Sequence, residues 1–303
     1  MATTSVDALF SPDFLARLES LALAARQLVK GAQRAQRRAV QHGASVEFAE
    51  YRPFTEGDDW RYIDWNAFAR WRQLVLKLFI EEEDWHVHIL YDNSASMDWG
   101  APPHPPKYDY ARQVAAGLTF LGLANLDRVA LIPLQSNAGK PWKPARGKEK
   151  FLLMLRVLAA QPVAAEPGTM EENVRRWLST GPRRGLVVVL SDLFGADLGD
   201  AMRALDRLRY ARQEVAVIQM TDPGEAEAGD PGEYDMEDCE THTTAPILND
   251  RQAARDYAKR FRDYQEAIGR YCRQNQIALI QTDTRQPVPD LLLRTLRHGG
   301  FVE

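Results

Sequence analysis

The sequence has little cysteine, no excess of positive charge and no long apolar run. Its 303 residues include only two cysteines, Cys239 and Cys272, which do not form a C-x-x-C pair. A disulfide framework and a zinc site are therefore not expected, and this cysteine usage favours a reducing compartment. The formal net charge of −4 gives no reason to expect bulk attraction to nucleic acid.

The longest apolar runs are also short. Residues 74–80 and 186–190 fall far below the ~20 residues that a helix needs to cross a bilayer. Acidic residues interrupt the first apolar positions, at Asp7, Asp13 and Glu19, unlike the apolar core of a secretory signal. We therefore expect a cytoplasmic protein without a transmembrane segment.

The sequence contains alternating strand and helix patterns from residue 84 onwards. Apolar strands at 86–91, 129–134, 186–191, 214–220 and 276–282 are separated by helical patterns at 108–124, 148–160, 170–178, 198–210 and 253–273. Such alternation predicts a mostly parallel sheet with helices on both faces. Pro133 places its strand towards a sheet edge, because proline cannot donate to a ladder.

Three further segments have unusual compositions. A helix is expected over 12–30, and the five basic residues from Arg26 to Arg38 form a solvated basic face or a nucleic-acid contact. The aromatic residues from Trp60 to Trp71 are expected to pack a small subdomain, with Arg–Asp pairs at its turns. Residues 222–240 hold nine acidic residues and no basic one, which indicates a mobile solvated loop or a docking surface.

We predict a small segment over 1–83, containing a helix and a strand, and an α/β domain over 84–303.

Oxygen-bearing side chains follow two of the predicted strands. The first strand leads into Asp92-Asn93-Ser94-Ala95-Ser96, a D-x-S-x-S motif, and a later strand ends in Asp192. Thr169 lies in a loop between them in sequence. Because right-handed crossovers bring the carboxyl ends of parallel strands to one edge, these groups are expected to meet there.

Hydroxyl and carboxylate oxygens are the ligands that hard cations such as Mg²⁺ prefer. The predicted metal ligands are Asp92, Ser94, Ser96, Thr169 and Asp192. Capping of the following helices is the alternative use of the serines and of Thr169.

This pattern resembles the metal-ion-dependent adhesion site of von Willebrand factor A domains. The resemblance covers residues 84–298 and implies a Rossmann-type sheet with one antiparallel edge strand. It also implies a bound Mg²⁺, or Mn²⁺ or Ca²⁺ in its place. Such a cation would hold a carboxylate supplied by a protein partner, without catalysis.

A segment that precedes residue 84 indicates a more specific family within this resemblance. Glu47-Phe48, Arg52 and the run from Gly57 to Arg70 are similar to the signature of domain-of-unknown-function family fifty-eight, whose members carry it in front of an A-type domain. Membership implies an association with MoxR-type AAA+ ATPases and an adaptor or co-chaperone role. Many members also have membrane helices ahead of this segment, which this sequence does not show.

Two other functions remain open. A metal-dependent hydrolase or phosphatase could use Asp92 as nucleophile, but Asn93-Ser94 provides no second aspartate, and neither G-x-S-x-G nor a P-loop occurs. A nucleic-acid module could use Arg26 to Arg38 together with the aromatic segment. A non-enzymatic protein-binding module is the preferred interpretation.

Overall fold

The structure, a computed structural model, describes residues 6–21, 47–55, 58–80, 85–100, 102–135, 139–164, 168–194, 198–227, 229–239 and 243–298. The basic segment from Arg26 to Arg38 lies outside them. The chain divides into two compact units, one of residues 1–26 and 85–303 and the other of residues 27–84. The amino-terminal helices α1 (Val6–Leu9) and α2 (12–21) therefore belong to the large unit, whereas the sequence grouped them with residues 1–83.

Among its described residues, the small unit contains two antiparallel strands and one α-helix. Strands β1 (Glu47–Pro53) and β2 (Val75–Ile80) pair antiparallel, and α3 (Trp65–Trp71) lies between them in sequence. The Asp64 side chain begins α3 by accepting hydrogen bonds from the backbone N–H groups of Asn66 and Ala67. Because this Asp occupies the N-cap, two otherwise unpaired amides of the first turn are satisfied.

The turns of the small unit are held by the expected ion pairs. Arg52 contacts Asp58 at 2.6 Å and Arg61 contacts Asp59 at 2.7 Å. The hydrogen bonds from Thr55 and Arg52 lower the pKa of Asp58 to about 2.

The aromatic residues do not behave as predicted, because Trp60, Trp65 and Trp71 are exposed and the buried positions are instead filled by small and aliphatic side chains. Where the structure describes burial in this unit, the buried apolar residues are Ile63, Ala67, Val75 and Leu76.

The large unit contains the central sheet. Its strands are β3 (His86–Tyr91), β4 (Arg128–Pro133), β5 (Trp142–Ala145), β6 (Leu186–Ser191), β7 (Glu214–Thr221), β8 (Gly232–Glu237), β9 (Thr244–Asn249) and β10 (Ala278–Asp283). Its further helices are α4 (Lys107–Ala124), α5 (Phe151–Ala159), α6 (Met170–Leu178), α7 (Leu198–Tyr210), α8 (Arg251–Gln274) and α9 (Val288–His298). Six of these strands form one sheet in the order β10-β7-β6-β3-β4-β5. All neighbours are parallel except β4 and β5, so the predicted mixed α/β fold with a mostly parallel sheet is confirmed.

Helices cover both faces of this sheet. Successive residues of β6 alternate between two apolar clusters, with Val188 in one and Val189 in the other. The first cluster includes residues of α4, α5 and α9, and the second includes residues of α7 and α8. Strands buried on both faces read as continuous apolar runs, which is why β3 and β6 were recognisable in the sequence.

The sheet differs from the sequence prediction near one of its edges. The strand that contains Pro133 does not lie at an edge, because β5 pairs with it along Val129 and Leu131 only. Pro133 is the last residue of β4, beyond the positions that β5 reaches, so its missing N–H breaks no ladder bond. The resemblance implied one antiparallel edge strand, but no sequence pattern located such a strand at β5.

The acidic segment is also more regular than predicted. After a short 3-10 turn at Pro223–Ala226, it forms β8, which pairs antiparallel with β9. Nearly every residue of this hairpin is exposed. Among the helices of the described ranges, none has both the length and the apolar composition that a membrane span requires.

Candidate cation site

Strands β3 and β6 bring the two predicted aspartates to the same edge of the sheet. The strands are parallel neighbours, with Tyr91 opposite Leu190. The backbone N–H of Asp92 donates to the carbonyl of Leu190 at 2.8 Å. Asp92 and Asp192, one residue beyond each strand, therefore lie side by side at the carboxyl ends of the strands.

Asp92 is held by donors that carry no charge. Its Oδ1 accepts from the Ser94 backbone N–H at 3.0 Å, and its Oδ2 accepts from the Ser191 hydroxyl at 2.6 Å. Burial, together with the negative charge of Asp192, raises the pKa of Asp92. Within the described ranges, no lysine, arginine or histidine forms an ion pair with Asp92.

The two serines of the motif lie against each other. Ser94 Oγ and Ser96 Oγ are 3.0 Å apart, and Ser94 makes no capping hydrogen bond to the 3-10 turn that follows it. Adjacent ligands of an octahedral Mg²⁺ with bonds of about 2.1 Å are also roughly 3 Å apart. The capping alternative therefore does not apply to Ser94, and the spacing suits two ligands of one cation.

Asp192 has a very different environment. Its side chain is fully buried, and Lys107 Nζ donates to its Oδ2 at 2.6 Å. The backbone N–H of Phe194 donates to its Oδ1 at 2.9 Å. The same lysine contacts Glu225, in the turn after β7, and the two carboxylates raise the pKa of Lys107 against the opposing effect of its burial.

Thr169 is brought near the motif by a network of buried amides. The backbone N–H of Gln135 donates to Asn93 Oδ1 at 2.8 Å, and the Gln135 side chain donates to the carbonyl of Gly168 at 2.9 Å. Asn173 donates to Gln135 Oε1 at 2.9 Å. Gln135 therefore links the loop that carries Thr169 to Asn93, the residue between Asp92 and Ser94.

Thr169 nevertheless acts as a helix cap. It is exposed, and its hydroxyl accepts from the backbone N–H of Glu172 at 3.2 Å. The buried Asp200 completes this helix start by accepting from the N–H groups of Met170 and Glu171 at 2.7 and 3.1 Å. The capping interpretation therefore holds for Thr169, and its role as a metal ligand stays a prediction.

The donor set fits a hard divalent cation. Throughout the described residues, no group of three or more His, Cys, Asp or Glu side chains could hold a metal ion. The candidate site offers carboxylate and hydroxyl oxygens instead, a set suited to Mg²⁺ and poorly suited to zinc. Asp92, Ser94 and Ser96 would hold the cation directly, with Asp192 beside them.

Sequence reasoning missed Lys107 and Glu225. Lys107 is the first residue of α4 and lies just outside the helix predicted over 108–124, so no role was predicted for it, whereas Glu225 lies in the acidic segment that was interpreted as a solvated loop or a docking surface. Their positions in the sequence were the available signal. Lys107 begins the helix after the D-x-S-x-S motif, and Glu225 lies in the turn after β7.

Fold and site together define a mixed α/β protein with a candidate cation site at the carboxyl ends of its parallel strands. The family model "Protein of unknown function DUF58" matches residues 50–267, and the chain belongs to this family. The uncharacterized protein Rv1480 of Mycobacterium tuberculosis is 29% identical over 251 residues, which cover 82% of this chain and 78% of the relative.

A second relative, the uncharacterized protein MAV169 of Mycobacterium avium, is 31% identical over 168 residues, covering 52% of this chain and 95% of its own. Among solved structures, the conserved hypothetical protein BatB from Bacteroides thetaiotaomicron matches with a TM-score of 0.38 and 15% identity. That match covers 70% of this chain and 97% of BatB.

Proposed function

We propose that this protein is a non-enzymatic, divalent-cation-dependent protein-binding module. In this proposal, residues 84–298 form a von Willebrand factor A-like domain whose adhesion site uses Asp92, Ser94, Ser96, Thr169 and Asp192. The partner is a MoxR-type AAA+ ATPase or its client, and the protein serves as an adaptor or co-chaperone.

The environment of Asp92 carries the proposal. A buried carboxylate next to a second carboxylate is unfavourable unless a cation compensates its charge. Asp92 receives hydrogen bonds from Ser94 and Ser191 but forms no ion pair with any described basic residue. A divalent cation held by Asp92 and the two serine hydroxyls would supply the missing charge.

The same ligand set accounts for partner binding. Serine hydroxyls are neutral, so a cation held by Ser94, Ser96 and a single uncompensated carboxylate retains much of its positive charge. An aspartate or glutamate from another protein can then complete the coordination shell.

Binding to a MoxR-type ATPase provides the test. The purified protein is immobilised, and capture of the ATPase is measured once with millimolar Mg²⁺ and once with excess EDTA. We expect capture only with Mg²⁺, and loss of capture in Asp92→Asn. Asp98→Asn is the matched control, because Asp98 is an exposed carboxylate on the same turn. Equal capture with EDTA, or by a folded Asp92→Asn variant, would overturn the proposal.

A further inference from the structure

A buried lysine lies beside the candidate cation site. The side chain of Lys107 is only 1% exposed, although it belongs to the first turn of α4. Its ammonium donates to Asp192 at 2.6 Å and contacts Glu225, and it lies 5.5 Å from the centre of the Phe194 ring. Burying a lysine is costly unless anionic partners compensate its charge, and here two of them do.

Lys107 makes the two aspartates of the site unequal. Asp192 is paired with the ammonium, whereas Asp92 has only uncharged hydrogen-bond donors among the described residues. Lys107 contacts both Asp192 and Glu225, so its single positive charge is shared between these two carboxylates, and none of it is paired directly with Asp92.

The position of the ammonium also limits the role of Asp192. Its Oδ2 is engaged by Lys107, and its Oδ1 accepts from the backbone N–H of Phe194. A cation at Asp92 therefore meets a second carboxylate whose charge is already compensated by the ammonium, whereas the hydrogen bonds to Asp92 carry no charge. Without the ammonium, Asp192 would be free to bind the cation directly.

We propose that Lys107 determines the affinity and coordination of the cation site. By neutralising Asp192, it leaves Asp92 as the principal anionic ligand, so the cation is held weakly and keeps coordination positions and positive charge for a partner's carboxylate. This inference rests on the proposed function, because it concerns the cation that binds at Asp92. Glu225 acts in the opposite sense, since it shares the ammonium with Asp192.

Titration of the full-length protein with Mn²⁺, followed by calorimetry, tests the inference. Lys107→Met removes a positive charge near the cation and is expected to raise Mn²⁺ affinity about tenfold or more. Glu225→Gln leaves the ammonium entirely to Asp192 and is expected to lower the affinity several-fold. Lys259→Met, the same substitution at an exposed position of α8, should leave it unchanged.

Water proton relaxation of the bound Mn²⁺ adds a second readout. In Lys107→Met, Asp192 replaces a water on the metal, so the number of fast-exchanging waters should fall relative to the wild type. If Lys107 were only structural, both Lys107→Met and Glu225→Gln would weaken binding and leave the water count of the remaining complex unchanged. Should Lys107→Met fail to fold, Lys107→Gln takes its place, because it keeps a hydrogen-bond donor for Asp192 without the positive charge, and unchanged or weaker Mn²⁺ binding in a folded Lys107→Gln variant overturns the inference.

The outcomes separate this inference from the proposed function. Mn²⁺ binding that is lost in Asp92→Asn but not strengthened in a folded Lys107→Met variant overturns the role of Lys107 and leaves the cation site intact. Absence of Mn²⁺ binding in both the wild type and Lys107→Met overturns the two together. Tight Mn²⁺ binding in Lys107→Met without any binding in the wild type supports the effect of Lys107 on affinity and overturns the proposed function, because the wild-type site would then hold no cation.

Discussion

Asn93, the second residue of the motif, holds two loops against the end of β3 through its hydrogen bonds. Its side chain is fully buried, its Oδ1 accepts from the backbone N–H of Gln135, and its Nδ2 donates to the carbonyl of Pro162 at 3.3 Å. Its backbone carbonyl accepts from the N–H of Ala164 at 2.7 Å. The second residue of the motif therefore supports the loops around the site, while the proposed metal ligands are its first, third and fifth residues.

Replacing Asn93 with alanine should lower the free energy of unfolding by roughly 2–3 kcal/mol. The change leaves the buried N–H of Gln135 without its acceptor, and an unsatisfied buried donor costs about 1–3 kcal/mol beyond the lost packing. Urea unfolding measures the effect. Asn66→Ala, at an exposed helix position, should change stability by less than about 0.5 kcal/mol, and an equal loss in both variants would contradict the role of Asn93.

Asp127 makes stability depend on pH at a place remote from the motif. It lies between α4 and β4, and burial raises its pKa to about 6, against the opposing charge of Arg146. A carboxyl whose folded-state pKa is raised contributes stability that is present below its unfolded pKa of 3.8 and is lost as pH rises through about 6.

Asp127→Asn should therefore stabilise the protein at neutral pH and not in acid. We expect a gain on the order of 2 kcal/mol at pH 7.5, and a difference near zero at pH 3.5, where both the wild type and the variant are uncharged at this position. Urea unfolding at the two pH values gives the comparison. The prediction is wrong if the difference between variant and wild type does not change with pH.

At the residue scale, the sequence identified side chains that lie next to predictable strands. Asp92 and Asp192 were found because each ends an apolar run, and Ser94 and Ser96 because they follow Asp92 at fixed spacing. Lys107 and Glu225 were not found, because their contacts are distant in sequence. Lys107 is 85 positions from Asp192 and 118 positions from Glu225. Local patterns report which face a residue occupies, but they do not identify its partner on another element.

At the element scale, the site depends on β3 and β6 being close neighbours from their first residues. Gly185 precedes β6, and a Cβ atom built on it would lie 2.1 Å from the carbonyl oxygen of His86. The carbonyl of Gly185 also accepts from the N–H of Glu214 at the start of β7. Only glycine allows the backbones of β3 and β6 to approach in this way.

Gly185→Ala should lower the free energy of unfolding by about 1–3 kcal/mol, because the added methyl group forces two paired backbones apart. Gly269→Ala offers a matched comparison within α8, where the added Cβ meets only the flexible end of Arg273 at 3.3 Å. Alanine favours a helix over glycine by up to about 1 kcal/mol, so this second variant should be more stable than the wild type. Urea unfolding of both variants checks the two signs, and a loss in Gly269→Ala equal to that in Gly185→Ala would contradict the argument.

The sequence predicted the long central elements and missed the short peripheral ones. Strands β3, β6 and β7 are buried apolar runs, and burial on both faces is what makes such runs visible. Strand β5 has only four residues, including Pro144 and the exposed Lys143. The β8–β9 hairpin is exposed, so its alternation of Tyr234 and Met236 with acidic residues was masked by the overall acidity of the segment.

At the scale of the whole molecule, the large unit is discontinuous in sequence. Residues 1–26 belong to the same compact unit as residues 85–303. Leu18 of α2 is fully buried and lies close to Gly117 of α4, where an added Cβ would be 3.3 Å from Leu18 and 2.3 Å from Leu292 of α9. The apolar face of the amino-terminal helix therefore forms part of the core that supports the site.

Leu18→Ala should consequently destabilise the sheet, although Leu18 is far from it in sequence. Truncating a fully buried leucine leaves a cavity and costs about 2–5 kcal/mol. Because the lost contacts lie in the core of the large unit, hydrogen exchange of the β3 and β6 amides should accelerate together with the drop in the urea midpoint. Leu152→Ala, at a position that is 64% exposed, should leave both measurements within about 0.5 kcal/mol of the wild type. If Leu18→Ala behaves like Leu152→Ala, the amino-terminal helix does not share the core of the large unit.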